Sequence, residues 1–162
     1  MKKLNKKGFT LVELLAVVVI LGILMLVAIP AIQKAIQNSK KGTFADSAKE
    51  VVNAVKNAYA ADELGETCPN GVDGTYKVDY SEAQKLLETE FKSPFHPKEE
   101  IEGYILITVT KGKATYKAEL YEKTSKAGID GLQEFHNIKP ENIKDKGVEP
   151  VTASGTSCTV SQ

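Results

Sequence analysis

KKLNKKGFTLVELLAVVVILGILMLVAIP, residues 2–30, decides how the rest of the chain is read. From Phe9 to Ile29 there are 21 residues, and only Thr10 and Glu13 carry a polar side chain. A helix rises about 1.5 Å per residue, so this stretch would span roughly 30 Å, the thickness of a bilayer's hydrocarbon core. Fifteen of the 21 are Leu, Ile, Val or Phe. Each favours insertion by roughly 0.3–0.6 kcal/mol, so the sum, on the order of 7 kcal/mol, exceeds the cost of one carboxylate, at most about 3 kcal/mol. The stretch reads as a membrane helix. Lys2, Lys3, Lys6 and Lys7 precede it with no acid among them. The positive-inside bias then leaves the N-terminus in the cytoplasm and exports everything after Pro30.

Other apolar N-terminal segments fit less well. A secretory signal peptide starts in the same way, but its apolar region runs about 7–15 residues to a small-residue cleavage site. Here the run is longer, and Pro30 stands where cleavage would fall. A plain signal anchor fits the length and composition. It accounts for neither Gly8 nor Glu13.

The segment KKGFTLVEL, Lys6 to Leu14, resembles the type IV pilin (prepilin) family and its pseudopilin relatives. In that family a short basic leader ends in glycine, a phenylalanine follows, and a glutamate lies five positions into the mature chain. Gly8, Phe9 and Glu13 match these positions. The resemblance implies that a prepilin peptidase cuts between Gly8 and Phe9 and that the new amine of Phe9 is N-methylated, while the apolar helix is retained. Pro30 falls where such pilins kink the helix. The motif and its helix cover about a fifth of the chain.

An apolar helix can pass sideways from lipid into the core of a helical fibre without meeting water. Lipid tails are as apolar as leucine, so polar pairing and close packing must supply the selectivity between helices. Glu13 suits that need. A carboxylate about 4 Å from a neighbouring subunit's terminal ammonium gains on the order of 4 kcal/mol at an effective dielectric near 20, partly offset by desolvation.

The 162 residues, 42% apolar, leave room for one exported head beside a long helix. The expected organisation is a leader at 1–8, a transmembrane and assembly half-helix at 9–30, an amphipathic half-helix at 31–64 and a globular head at 65–162. The formal charge is zero, but without the four leader lysines the mature chain has 17 basic against 21 acidic residues, a net of −4. No nucleic acid is expected as a partner of the isolated subunit, since the charge is negative and every basic residue is lysine.

Beyond Pro30 the helical pattern runs to about Leu64, with Phe44, Ala48, Val51, Val52, Val55 and Tyr59 forming a stripe that predicts packing against the head. Glu66 to Tyr80 is turn-rich and reads as a loop. Ser81 and Gln84 have the spacing of a capping box, and with Ala83, Leu86, Leu87 and Phe91 predict a short helix over 81–91. Tyr104 to Thr110 and Thr115 to Tyr121 alternate at period two around Lys111, Gly112 and Lys113, which predicts a hairpin. A turn of helix is expected near Ile129 to Phe135, and a broken last strand within Val148 to Val160. The fold class is α+β: a long kinked N-terminal helix, transmembrane in its first half, packed against an antiparallel sheet.

Cys68 and Cys158 are the only cysteines. Export predicts a disulfide between them. Pilins often close a loop near the C-terminus in this way, but this spacing is wide for that pattern, so the resemblance does not settle the pairing. The cysteines with His96 and His136 could supply four zinc ligands, yet neither pair has the short spacing of a structural zinc site. Asp62, Glu63, Glu66, Asp73 and Asp79 lack the spacing of an EF-hand. No metal and no cofactor are expected. No nucleophile motif or phosphate-binding loop is present, so an enzyme is not expected.

The expected function is a type IV pilus subunit for adhesion, twitching motility or aggregation. Its expected partners are other copies of itself, the prepilin peptidase, the pilus assembly machinery and the membrane. It would span the cytoplasmic membrane once before assembly and then stand in an extracellular pilus. Alternatives within the family are a pseudopilin of type II secretion and a competence pilin. Outside it stands a membrane-anchored exported binding protein that never polymerises.

Overall fold

In the computed structural model, which describes residues 8–160, one continuous helix, α1, runs from Leu11 to Ala60 with Pro30 inside it. Pro30 has no N–H to donate to the carbonyl four residues back, so the ladder lacks one bond there. The chain divides into two compact units, Met1–Gln37 and Asn38–Gln162. In the first, every described residue is exposed, including Leu11, Leu15, Ile20 and Leu24, and the helix is long and apolar enough to cross a membrane.

Helix α1 ends four residues earlier than the pattern predicts, because the chain closes it with a Schellman turn. The N–H of Glu63 bonds the carbonyl of Ala58 at 2.9 Å and that of Asp62 bonds Tyr59 at 3.2 Å, with Asp62 at φ 61°. Leu64 is then free to turn inward, where it is fully buried.

The second unit is built on the predicted stripe. Phe44, Ala48, Val51, Val52, Val55 and Tyr59 are buried in one cluster with Tyr76, Val78, Ile105, Ile107, Ala118 and Leu120. The latter residues come from one face of a sheet. Its strands are β1 (Gly74–Asp79), β2 (Ile101–Thr110), β3 (Lys113–Glu122), β4 (Gly128–Ile129), β5 (Gln133–Glu134), β6 (Ile143–Lys144) and β7 (Thr156–Ser157). The order is β6-β4-β3-β2-β1-β7, with β5 on β3. Pairing is antiparallel except between β1 and β7, which run parallel.

The β2–β3 hairpin is longer than predicted at both ends, and its loop is two residues, not three. Lys111 and Gly112 both take positive φ, 54° and 72°, which matches the right-handed twist of the strands. Lys113 already pairs with Thr110. Asp73, far away in sequence, accepts from the Gly112 N–H at 3.0 Å and steadies the turn. Within β2, Gly103 sits at φ 128° opposite Leu120, and a Cβ there would collide with the carbonyl of Glu119.

Several other expectations are revised. The stretch read as a loop after Cys68 contains β1, whose period of two at Tyr76 and Val78 is obscured by flanking Gly and Asp residues. The helix expected over 81–91 is one turn, α2 (Tyr80–Ala83), followed by a 3-10 turn, Gln84–Leu86. The cap at Ser81 does not form: the helix starts after Asp79 with no side-chain cap. Phe91 reaches the core from outside any helix or strand, edge-on to Phe44 at 5.1 Å. Short strands β4 and β5 take the stretch from Ile129 to Glu134, the turn of helix comes only at Phe135–Asn137 as a 3-10 turn, and Val148 to Val160 supplies only the two residues of β7.

Candidate assembly site

The start of α1 is an N-cap built by its own sequence. Thr10 precedes the first helical residue, and its N–H and hydroxyl both donate to Oε2 of Glu13, each at 2.9 Å. In return the Glu13 N–H donates to Oγ1 of Thr10 at 3.3 Å. This reciprocal pair is a capping box, Thr-x-x-Glu, and it satisfies donors that a helix start otherwise leaves open. The negative charge also lies at the positive end of the helix dipole. The same spacing at Ser81 and Gln84 forms no box, whereas at Thr10 and Glu13, where no box is predicted above, it does.

Phe9 is 88% exposed, and Gly8 has no neighbour within 4 Å of where a Cβ would stand. Among the described residues, none crowds the bond between them. Residues 1–7 of the expected leader, with Lys2, Lys3, Lys6 and Lys7, lie outside the described residues. From Phe9 to Ile29 Glu13 is the only ionisable side chain on an exposed apolar surface. Lipid or other apolar helices can cover such a surface, and the carboxylate can tell one register from another.

In the second unit Cys68 and Cys158 form a disulfide with a Cα–Cα separation of 5.7 Å, both nearly fully buried. The bond ties the chain just after α1 to the end of the C-terminal segment. Around it, Thr67 Oγ1 donates to the carbonyl of Ser157 at 3.1 Å, and the Cys158 N–H to that of Lys77 at 2.9 Å. The disulfide removes both cysteines from the four-ligand combination considered above. His96 and His136 have different acidic neighbours, Glu122 at 2.7 Å and Glu134 at 3.3 Å.

The acids after α1 do not converge either. Asp62 accepts from the Asn70 N–H, Asp73 from Gly112, and Asp79 pairs with Lys77 at 2.9 Å. Each serves its own turn or strand.

A family model described as the prokaryotic N-terminal methylation motif matches residues 3–29. The chain is similar to the competence protein ComGC of Bacillus subtilis (strain 168), at 42% identity over 65 residues, which cover 40% of this chain and 64% of the relative. It is also similar to the ComG operon protein 3 homolog of Bacillus licheniformis, at 41% identity over 68 residues, covering 41% of this chain and 67% of the relative. The chain thus spans about two thirds of the length of these curated relatives. No solved structure matches it.

Proposed function

Since this chain belongs to the type IV pilin family, taken to include the pseudopilins, we propose that it is a competence pilin: a structural subunit that polymerises into a surface filament serving DNA uptake. The family is one of structural subunits, not enzymes. The observation that carries polymerisation is Glu13, the single charge on the exposed apolar helix, fixed at the helix start by Thr10. Similarity to a competence protein and to a ComG operon protein homolog supports the choice within the family.

The sequence of events is the one that the resemblance to prepilins implies for these residues. A prepilin peptidase cuts between Gly8 and Phe9, and the Phe9 amine is methylated. Residues 9–30 hold the subunit in the cytoplasmic membrane until the assembly machinery moves it sideways into the fibre. There Glu13 meets the Phe9 amine of a neighbouring copy, and a bend at Pro30 adjusts the helix to its neighbours. The membrane acts as a store of subunits.

Deleting the gene in the source cells and measuring transformation, with immuno-electron microscopy using an antibody to residues 65–162, tests this reading. Labelled filaments and a loss of transformation of at least a hundred-fold are expected. Label confined to the membrane, with no filaments, would instead identify a non-polymerising anchor.

One observation favours a second reading, a surface pilus for adhesion or twitching. The aligned stretches cover only about two fifths of this chain, so the similarity to the competence proteins does not extend over most of it. Filaments with undiminished transformation would select that reading.

A further inference from the structure

At one edge of the second unit, the loop leading into β2 meets the end of β3, and three potential ligand groups face one another. The donor atoms of His96, Glu99 and Glu122 all lie within 4.8 Å of each other. His96 Nδ1 is 2.7 Å from Glu122 Oε2 and 4.0 Å from Glu99 Oε1. The chain positions 96, 99 and 122 carry no compact motif, which is why the sequence alone points to no metal.

Each carboxylate is divided between two tasks. Glu99 uses Oε2 to accept the N–H groups of Ser125 and Thr124, at 2.9 and 3.3 Å, and turns Oε1 towards the imidazole. Glu122 uses Oε1 to accept the His96 N–H at 3.0 Å and presents Oε2 to the ring, with the Ser125 hydroxyl also donating to Oε2. Backbone donors therefore fix one oxygen of each acid and aim the other at a common point. This is the support that ligating carboxylates in metal sites ordinarily have.

Glu122 is fully buried, whereas the His96 side chain is about half exposed, so the point is walled on one side and open to water on the other. Zinc bonds of about 2.0–2.2 Å in tetrahedral arrangement put donor atoms roughly 3.4 Å apart, a value between the two distances observed to His96. Half-exposed His96 has the freedom to adjust its two distances by less than about 1 Å, and the free oxygens of Glu99 and Glu122, which lie within 4.8 Å of one another, would close on the ion with it. Two carboxylates would balance the charge of a divalent ion. An imidazole nitrogen in the set disfavours calcium and magnesium, which take oxygen ligands, and favours zinc.

We propose that His96, Glu99 and Glu122 form a zinc site with an open position for water, which would clamp the loop before β2 to the end of β3. The competing arrangement is an ion pair between His96 and Glu122 with no metal. The proposal does not depend on what the filament is used for.

The test uses the full chain in detergent micelles, oxidised and stripped with a chelator, titrated with zinc chloride at pH 7.5 by calorimetry. One zinc per chain is expected. His96→Ala and Glu99→Gln should each weaken binding at least ten-fold, whereas His136→Ala, which removes the other histidine, should leave it unchanged. Zinc should also raise the melting temperature of the wild type and of His136→Ala but not of the first two variants. That separates loss of a ligand from loss of the fold, and both tested ligands lie in a loop, not in the buried strand. No saturable binding, binding unchanged in both loop variants, or binding lost in His136→Ala would each overturn the proposal.

Discussion

Oε2 of Glu13 accepts two hydrogen bonds from Thr10, one from its N–H and one from its hydroxyl, both at 2.9 Å. The carboxylate proposed to recognise a neighbouring subunit is therefore already employed in its own chain. Oε1 accepts from none of the described residues. A second donor, such as the amine of another copy, can be added without dismantling the cap.

This separates two roles by mutation. Glu13→Val should insert and lose its leader normally, since insertion becomes more favourable, yet give almost no filaments, because the loss of a few kcal/mol recurs at every interface. Glu13→Gln can still cap the helix but carries no charge, and should fail nearly as completely. Thr10→Val breaks the box at a cost of about 1 kcal/mol while keeping the charge, and should still assemble at reduced yield. Filament yield by shearing and immunoblot reads all three. Normal yield from Glu13→Gln would leave the carboxylate as a helix cap and nothing more.

Processing is read from the intact mass of the filament subunit. Loss of the eight residues ending at Gly8 is expected, with a gain of about 14 Da for one methyl group on the Phe9 amine. Subunits that retain Met1, or begin at Ala31, would contradict this.

What the sequence makes legible depends on whether a contact is local. The apolar helix follows from a long, nearly unbroken apolar run, the stripe from Phe44 to Tyr59 and the β2–β3 hairpin follow from periodicity, and the structure contains all three. Helix α1 closes early because Asp62 takes the left-handed conformation usually given to glycine, which no pattern signals. Strand β1 looked like loop because its partners, β2 and β7, are supplied from about 30 and 80 residues away. The capping box at Thr10 is legible as Thr-x-x-Glu, a purely local pattern that also holds the glutamate expected to serve assembly. Glu99 and Glu122 meet His96 only through the fold.

The hydrogen bond from Gly112 to Asp73 gives a prediction in pH. Backbone donors at Gly112 and Lys111 hold the Asp73 carboxyl below its ordinary value of 3.8. A depressed folded pKa means that the stabilising contact is complete above 3.8 and is lost as pH falls through the lower folded value. The Gly112 amide resonance should therefore shift with a midpoint below 3.8, and Asp73→Asn should abolish that transition. A midpoint at or above the ordinary value would show that the contact is not formed in solution.

The last prediction concerns Cys68 and Cys158. Their disulfide spans a sequence separation of 90 residues and joins the chain after α1 to a C-terminal segment that contributes only the two-residue strand β7 to the sheet. Among the described residues, few other hydrogen bonds hold that segment near its end: Thr67 on the Ser157 carbonyl, Cys158 on Lys77, and Glu82 accepting from Val160 at 3.0 Å. Closing a loop of that length stabilises by up to about 4.6 kcal/mol through the entropy of the unfolded chain. Cys68→Ser and Cys158→Ser should thus each lower the unfolding free energy by about 2–4 kcal/mol, and the double variant by no more than the larger single one, because both remove the same bond. Denaturant titration of the oxidised wild type and the variants measures the difference. Hydrogen exchange locates it, with protection expected to fall first at Ser157 and Cys158 and to persist in β2 and β3. Equal losses across the sheet would mean that the C-terminal segment is part of one cooperative unit and not a strap held mainly by sulfur.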